Sequence, residues 1–237
     1  MKETTLSALS PCFISIIIPV LNEVGTIAEI VSKAQTGKNV EIIVVDGGSN
    51  DGTIEVVKSL DVKLIDSLPG RSIQMNFGAK IATGNILLFL HGDTFLPLNF
   101  DKLLREIITK PNIIAGAFKL GIRGRKRSLR IVEIMVNWRS CYWQMPYGDQ
   151  GIFLSAKVFE EVGGFPEIPI MEDFELIRKL RKRGLIAIVS QPVLTSGRRW
   201  QKLGIFKTTL INQVVIITYL LGVSPQRLAQ WYRSYLK

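Results

Sequence analysis

Five apolar residues in succession, Ile86 to Leu90, run directly into His91, Gly92, Asp93 and Thr94. An apolar run without polar interruption fits a strand buried on both faces, which requires helices packed on either side of a sheet. Gly92 lets the backbone turn tightly as that strand ends. Open α/β sheets meet their ligands at the carboxyl ends of strands, where this chain places Asp93 and its single histidine, His91. An Asx-type turn with Asp93 bonding the backbone accounts for the same tripeptide without any ligand.

The residues upstream repeat the pattern. Phe13 to Val20 is a β-branched, apolar strand candidate with Leu21, Asn22 and Glu23 as its polar exit, and Ile27, Ile30, Val31 and Ala34 then recur at helical spacing. A second strand, Val40 to Val45, ends at Asp46, and Asp51 is placed to cap a helix carrying Ile54, Val57 and Leu60. Val62 to Ile65 reads as a third strand and Arg71 to Ala82 as the next helix. Alternation of this kind predicts an α/β fold with a parallel, Rossmann-like sheet and right-handed crossovers. Its strand ends would present Glu23, Asp46, the Asp66 to Arg71 loop, and His91 with Asp93. Neither a Gly-x-Gly-x-x-Gly fingerprint nor a Walker lysine loop is present, which removes the main support for dinucleotide and P-loop readings.

At 237 residues and 47% hydrophobic content the chain suits one large domain with a sizeable core. Cys12 and Cys141 match no metal or redox spacing and read as reduced thiols, and the first dozen residues lack a signal peptide's pattern, so a cytoplasmic location is expected. The net charge of +10 implies anionic company. Between Lys119 and Arg139 seven basic residues face one acid, Glu133, and from Arg198 to Lys237 there are seven basic residues and no acid. A solvated face or a surface for anions fits either segment.

Downstream, Asn99 to Thr109 reads as a helix, Ile113 to Leu120 as a strand and Ile152 to Leu154 as a short strand. Tyr142, Trp143, Met145 and Tyr147 fit either core packing or the aromatic floor of a ligand site. Glu172 and Asp173 open a helix whose end is crowded with Arg178, Lys179, Arg181, Lys182 and Arg183, a charge order that complements the helix dipole by itself. The apolar segment Leu210 to Leu221, interrupted by Asn212 and Gln213, is too short to span a bilayer. It fits a helix lying on an anionic membrane, a guide for a lipid-linked acceptor, a buried helix or a homodimer contact.

Several segments together resemble the successive motifs of family 2 glycosyltransferases: Ser15 to Glu23, Val44 to Thr53, Asn76 to Gly84, Leu90 to Thr94, Glu172-Asp173 and Arg198-Arg199-Trp200. The match covers about Phe13 to Trp200. It is most similar to a small bacterial subfamily with His-x-Asp in place of Asp-x-Asp, linked to arsenosugar biosynthesis or to glycosylation of lipids and carotenoids. The resemblance implies a GT-A fold, with a Rossmann-like mixed, mainly parallel sheet flanked by helices, and inverting transfer from a nucleotide-diphospho-sugar to an acceptor hydroxyl, with no nucleic acid as partner. It divides the domain into a donor half (residues 13–120), an acceptor and catalytic half (121–200) and a C-terminal helical segment (201–237).

Carried over by position, Asp46 would hydrogen-bond the donor's base, with Glu23 and Arg71 lining the same pocket, and Arg199 with Trp200 would close over the diphosphate. Asp93 would hold a divalent cation, Mn²⁺ or Mg²⁺, which prefers oxygen ligands. His91 stands where most relatives have a carboxylate; it either ligates the metal, favouring Mn²⁺, or contacts the ribose or a phosphate. Asp173 matches the general base. Gly47 stands where many relatives have a second aspartate. Two other readings compete: a sugar nucleotidyltransferase, which wants a Gly-rich, arginine-bearing loop after the first strand, and a non-catalytic module for anionic membranes or nucleic acid, which leaves the strand-end carboxylates unused.

Overall fold

A computed structural model describes residues 12–198, 200 and 204–236. Strands β1 (Ile14–Val20), β2 (Val40–Asp46), β3 (Lys63–Asp66) and β4 (Ile86–Phe89) pair in parallel in the order β3-β2-β1-β4. Every residue of β1 and β4 is buried because both faces of the sheet are covered. On one face Ile14, Ile16, Ile18 and Leu88 pack with helix α1 (Ile27–Ala34) and with Phe100 and Leu104 of α4 (Phe100–Ile108). On the other, Ile17, Ile43 and Val45 meet Met75 of α3 (Arg71–Ile81), in the same core as Leu176, Ile177 and Leu180 of α7 (Glu172–Arg181).

Strand register aligns the carboxyl ends: Val20 lies beside Asp46, and Asp46 beside Asp66. Gln74 fixes this edge from α3, donating to the carbonyls of Val20 (2.9 Å) and Val45 (2.8 Å). The remaining sheet is mixed. β7 (Ile152–Ser155) runs antiparallel between β4 and β6 (Ile113–Arg123), β8 (Leu185–Ser196) is parallel to β6, and β5 (Thr94–Phe95) closes the order β3-β2-β1-β4-β7-β6-β8-β5. Helices α2 (Thr53–Lys58), α5 (Arg127–Trp143), α6 (Ala156–Glu161), α8 (Ile205–Leu220) and α9 (Pro225–Leu236) complete the described residues.

The mixed, mainly parallel sheet flanked by helices agrees with the expectation, and the differences are local. Helix α2 starts at Thr53 and ends before Leu60; Gly52, not Asp51, is its N-cap, and Asp51, one residue earlier, accepts the Thr53 N–H at 3.0 Å. β6 continues past Leu120 to Arg123 because β8 pairs with it along most of its length. The basic stretch after β6 is helix α5, and α9 carries Leu228, Trp231, Tyr232 and Tyr235 at helical spacing. In the C-terminal apolar segment α8 turns Thr208, Ile211 and Val215 inward while Phe206, Leu210, Ile217 and Leu220 stay exposed. Among the described residues no helix is long and apolar enough to cross a membrane.

Candidate functional site

The aligned strand ends form one cleft. Asp46, 1% exposed at the end of β2, accepts the amide protons of Gly48 (2.7 Å) and Ser49 (2.8 Å) through Oδ2. Its Oδ1 is buried with no hydrogen-bond partner. A desolvated carboxylate oxygen left unpaired is costly, so this atom is set to receive a donor from a ligand. A Cβ at Gly47 would come within 3.1 Å of the Gln74 amide, so the glutamine that ties β1 to β2 occupies the room a second aspartate would need.

Glu23, just beyond β1, accepts from Arg198 Nη2 at 2.6 Å and lies 3.0 Å from Thr26 Oγ1, which is 2.9 Å from the Gly92 carbonyl. Gly92 is the close approach that permits this, since a Cβ there would meet Glu23 Cγ at 3.2 Å. β8 delivers Arg198: Thr195 pairs with Thr94, and the Ser196 N–H donates to the Asp93 carbonyl at 3.0 Å. The guanidinium therefore stands between two carboxylates, with Nη2 also 3.9 Å from Asp93 Oδ2.

Asp173 lies across the cleft in the first turn of α7. Its Oδ2 accepts the Gly148 N–H and its Oδ1 the Phe174 N–H, each at 2.7 Å. A Cβ on Gly148 would sit 2.7 Å from His91 Nε2 and 3.2 Å from Asp173 Oδ2, so the end of β4 and the start of α7 converge on this glycine. Beside Asp173, Glu172 is buried and bonded by Arg71 Nη1 at 3.2 Å. Burial pushes the Glu172 carboxyl above the usual range, with Arg71 opposing the shift and Asp173 adding to it.

The structure thus gathers Glu23 with Asp93 and His91 with Asp173, and brings Arg71 to the head of α7. Trp200 packs against the cluster of Leu120, Ile122, Leu129 and Val132, and Arg199 lies outside the described residues. Gly148 and Thr26 carry no signal of their own in the sequence, because their importance arises only where distant strand ends meet.

For a divalent cation, no group of three His, Cys, Asp or Glu side chains is assembled among the described residues. Of Asp93 and His91, the residues expected to hold one, Asp93 offers a carboxylate about a third exposed just beyond β4. That fits a cation held by one carboxylate and completed by substrate phosphate oxygens, the usual coordination of Mg²⁺.

Residues 15–163, more than half of the chain, match the family described as glycosyl transferase family 2. The chain belongs to that family. Among relatives of this family 2 chain, an uncharacterized glycosyltransferase of Rickettsia conorii is 30% identical over 188 residues, covering 70% of this chain and 31% of the relative. The chain thus spans roughly a third of that relative's length. Two solved structures share the fold at 20% identity. S. aureus TarS residues 1–349 in complex with UDP has a TM-score of 0.63 over 78% of this chain and 60% of its own. The mannosyltransferase PcManGT of Pyrobaculum calidifontis, in complex with GDP-Man and Mn²⁺, has a TM-score of 0.62 over 94% of this chain and 69% of its own.

Proposed function

We propose that this chain is an inverting glycosyltransferase that moves a sugar from a nucleotide-diphospho donor to an acceptor hydroxyl. The observation carrying the reading is the unmet, buried Asp46 Oδ1 at the strand-end edge where His91 and Asp173 close on Gly148. Uracil and guanine each offer a ring N–H to such an oxygen, and the TarS and PcManGT structures are complexes with UDP and with GDP-Man.

In this reading Asp46 accepts the base N–H, while Arg198 exchanges its carboxylate partners for the donor diphosphate, to which its planar fork is well matched. Asp93 would hold a divalent cation, which when bound neutralises charge on the departing diphosphate. His91 and Gly148 shape the floor between donor and base. Asp173 takes the proton of the acceptor hydroxyl as that oxygen bonds to the anomeric carbon. The bond from that carbon to the diphosphate oxygen breaks on the opposite face, giving inversion and a free nucleoside diphosphate.

The Gly148 and Phe174 amides orient the Asp173 carboxylate. General-base catalysis typically contributes ~10²–10⁴ in rate. Purified Asp173→Asn should therefore lose turnover by about that factor while binding the nucleoside diphosphate as wild type does, and NMR of the wild-type product should show the inverted anomer. Retained configuration, or an active Asp173→Asn enzyme, would refute the mechanism.

A further inference from the structure

Helix α5 buries Leu129, Val132 and Ser140 against the protein, yet carries a second apolar face that nothing among the described residues covers. Ile131, Ile134, Met135, Trp138 and Tyr142 recur at helical spacing and are all more than half exposed, Tyr142 at 72%. The aromatic end is already assembled, with the Trp138 ring 5.4 Å from Tyr142 and 5.1 Å from Trp143. At the other end Arg125, Lys126 and Arg127 are exposed, and none is in an ion pair among the described residues. Glu133, the one acid of this stretch, is turned inward: it accepts the Ile122 amide and pairs with Arg130 at 3.1 Å. Ile205, at the start of α8, packs on the cluster that α5 buries, and the next residue, Phe206, is 89% exposed.

We propose that the outward face of α5 docks on an anionic phospholipid bilayer. An apolar stripe ending in Trp and Tyr suits the headgroup boundary, and a cation cluster with its acid folded away is complementary to anionic headgroups. A second copy of the chain is a poorer occupant, because it brings the same cations and a net charge of +10. The helix lies on the membrane without crossing it. Its C-terminal end leads through Gln144, in the left-handed region at φ 50°, into the turn bearing Gly148. Arg139 ties the two, donating to the Met145 carbonyl at 3.0 Å and lying 3.4 Å over the Tyr147 ring. Docking would hold the Asp173 side of the cleft near the bilayer, where an amphiphilic acceptor hydroxyl is presented. The docking itself does not depend on the donor chemistry.

The test is sedimentation of the full chain with vesicles of phosphatidylcholine alone and of phosphatidylcholine mixed with phosphatidylglycerol. Wild type should bind the mixed vesicles, less tightly as salt rises. Replacing Arg125, Lys126 and Arg127 together by Gln should weaken binding about fivefold per charge, on the order of 100-fold in all. Trp138→Ser with Tyr142→Ser should weaken it by at least about tenfold. Both variants alter exposed side chains, and unchanged melting curves establish that they fold. Failure of the folded wild type to bind, or equal binding by both variants, would overturn the proposal. So would a concentration-dependent dimer, without vesicle binding, that Trp138→Ser dissociates.

Discussion

Asp173 accepts the amide proton of Gly148 at 2.7 Å across a gap in which Gly148 has no room for a side chain. A Cβ there would stand 2.7 Å from His91 Nε2, closer than carbon and nitrogen tolerate. Gly148→Ala must displace the imidazole or the carboxylate. Small misplacements of catalytic groups cost up to about a hundredfold in rate. The expected outcome is a fall in kcat of tenfold to a hundredfold with nucleoside diphosphate affinity nearly unchanged, read from steady-state kinetics beside calorimetry.

Arg198 predicts a different split. Its guanidinium bonds Glu23 at 2.6 Å, and the proposed mechanism transfers it to the diphosphate. A hydrogen bond to a charged group is worth ~1.5–3 kcal/mol, so Arg198→Ala should weaken nucleoside diphosphate binding by about 10- to 100-fold. Binding of the free nucleoside, which has no phosphates, should be unaffected. Titration of both ligands into wild type and variant checks this.

Stability toward acid should depend on Glu41, far from the cleft. Burial works against its charge, but hydrogen bonds from Lys63, Ser15 and Thr83 outweigh it and hold the pKa at about 2, below the ordinary value of 4.5. A carboxyl depressed in the folded state contributes stability that is present above its unfolded pKa and is lost as pH falls through the folded one. Glu41→Gln should therefore lower the melting temperature at neutral pH, and the difference from wild type should shrink between about pH 4.5 and pH 2. Thermal melts across that range would show it.

What could be read from the sequence followed how each residue meets its neighbours. β4 is an unbroken apolar run and β1 and β2 are mostly apolar because helices cover both faces, and their polar exits mark the cleft directly. Helix α5 escaped because its largest apolar side chains point outward, so its periodicity does not report what it buries. The bond from Arg71 to Glu172 joins residues 101 positions apart, and nothing local to either one announces it. Gly148 reads as an ordinary loop glycine until His91 and Asp173 are seen on either side of it. Trp200, read from the resemblance as a diphosphate contact, packs beside Leu129 and Val132 because an indole ring gains more from that apolar cluster than from solvent.

The most direct test of the account is calorimetric titration of UDP and GDP, with Mn²⁺, with Mg²⁺ and with chelator, into wild type and Asp46→Asn. The asparagine oxygen can keep the Gly48 and Ser49 bonds, which leaves its amide donor facing the place where the base N–H is expected. The account predicts that wild type binds one of the two diphosphates and that Asp46→Asn, with an unchanged melting curve, binds it at least about tenfold more weakly, the cost of one unmet buried hydrogen bond. Equal binding by the two proteins, or no binding of either nucleotide to wild type, would contradict it.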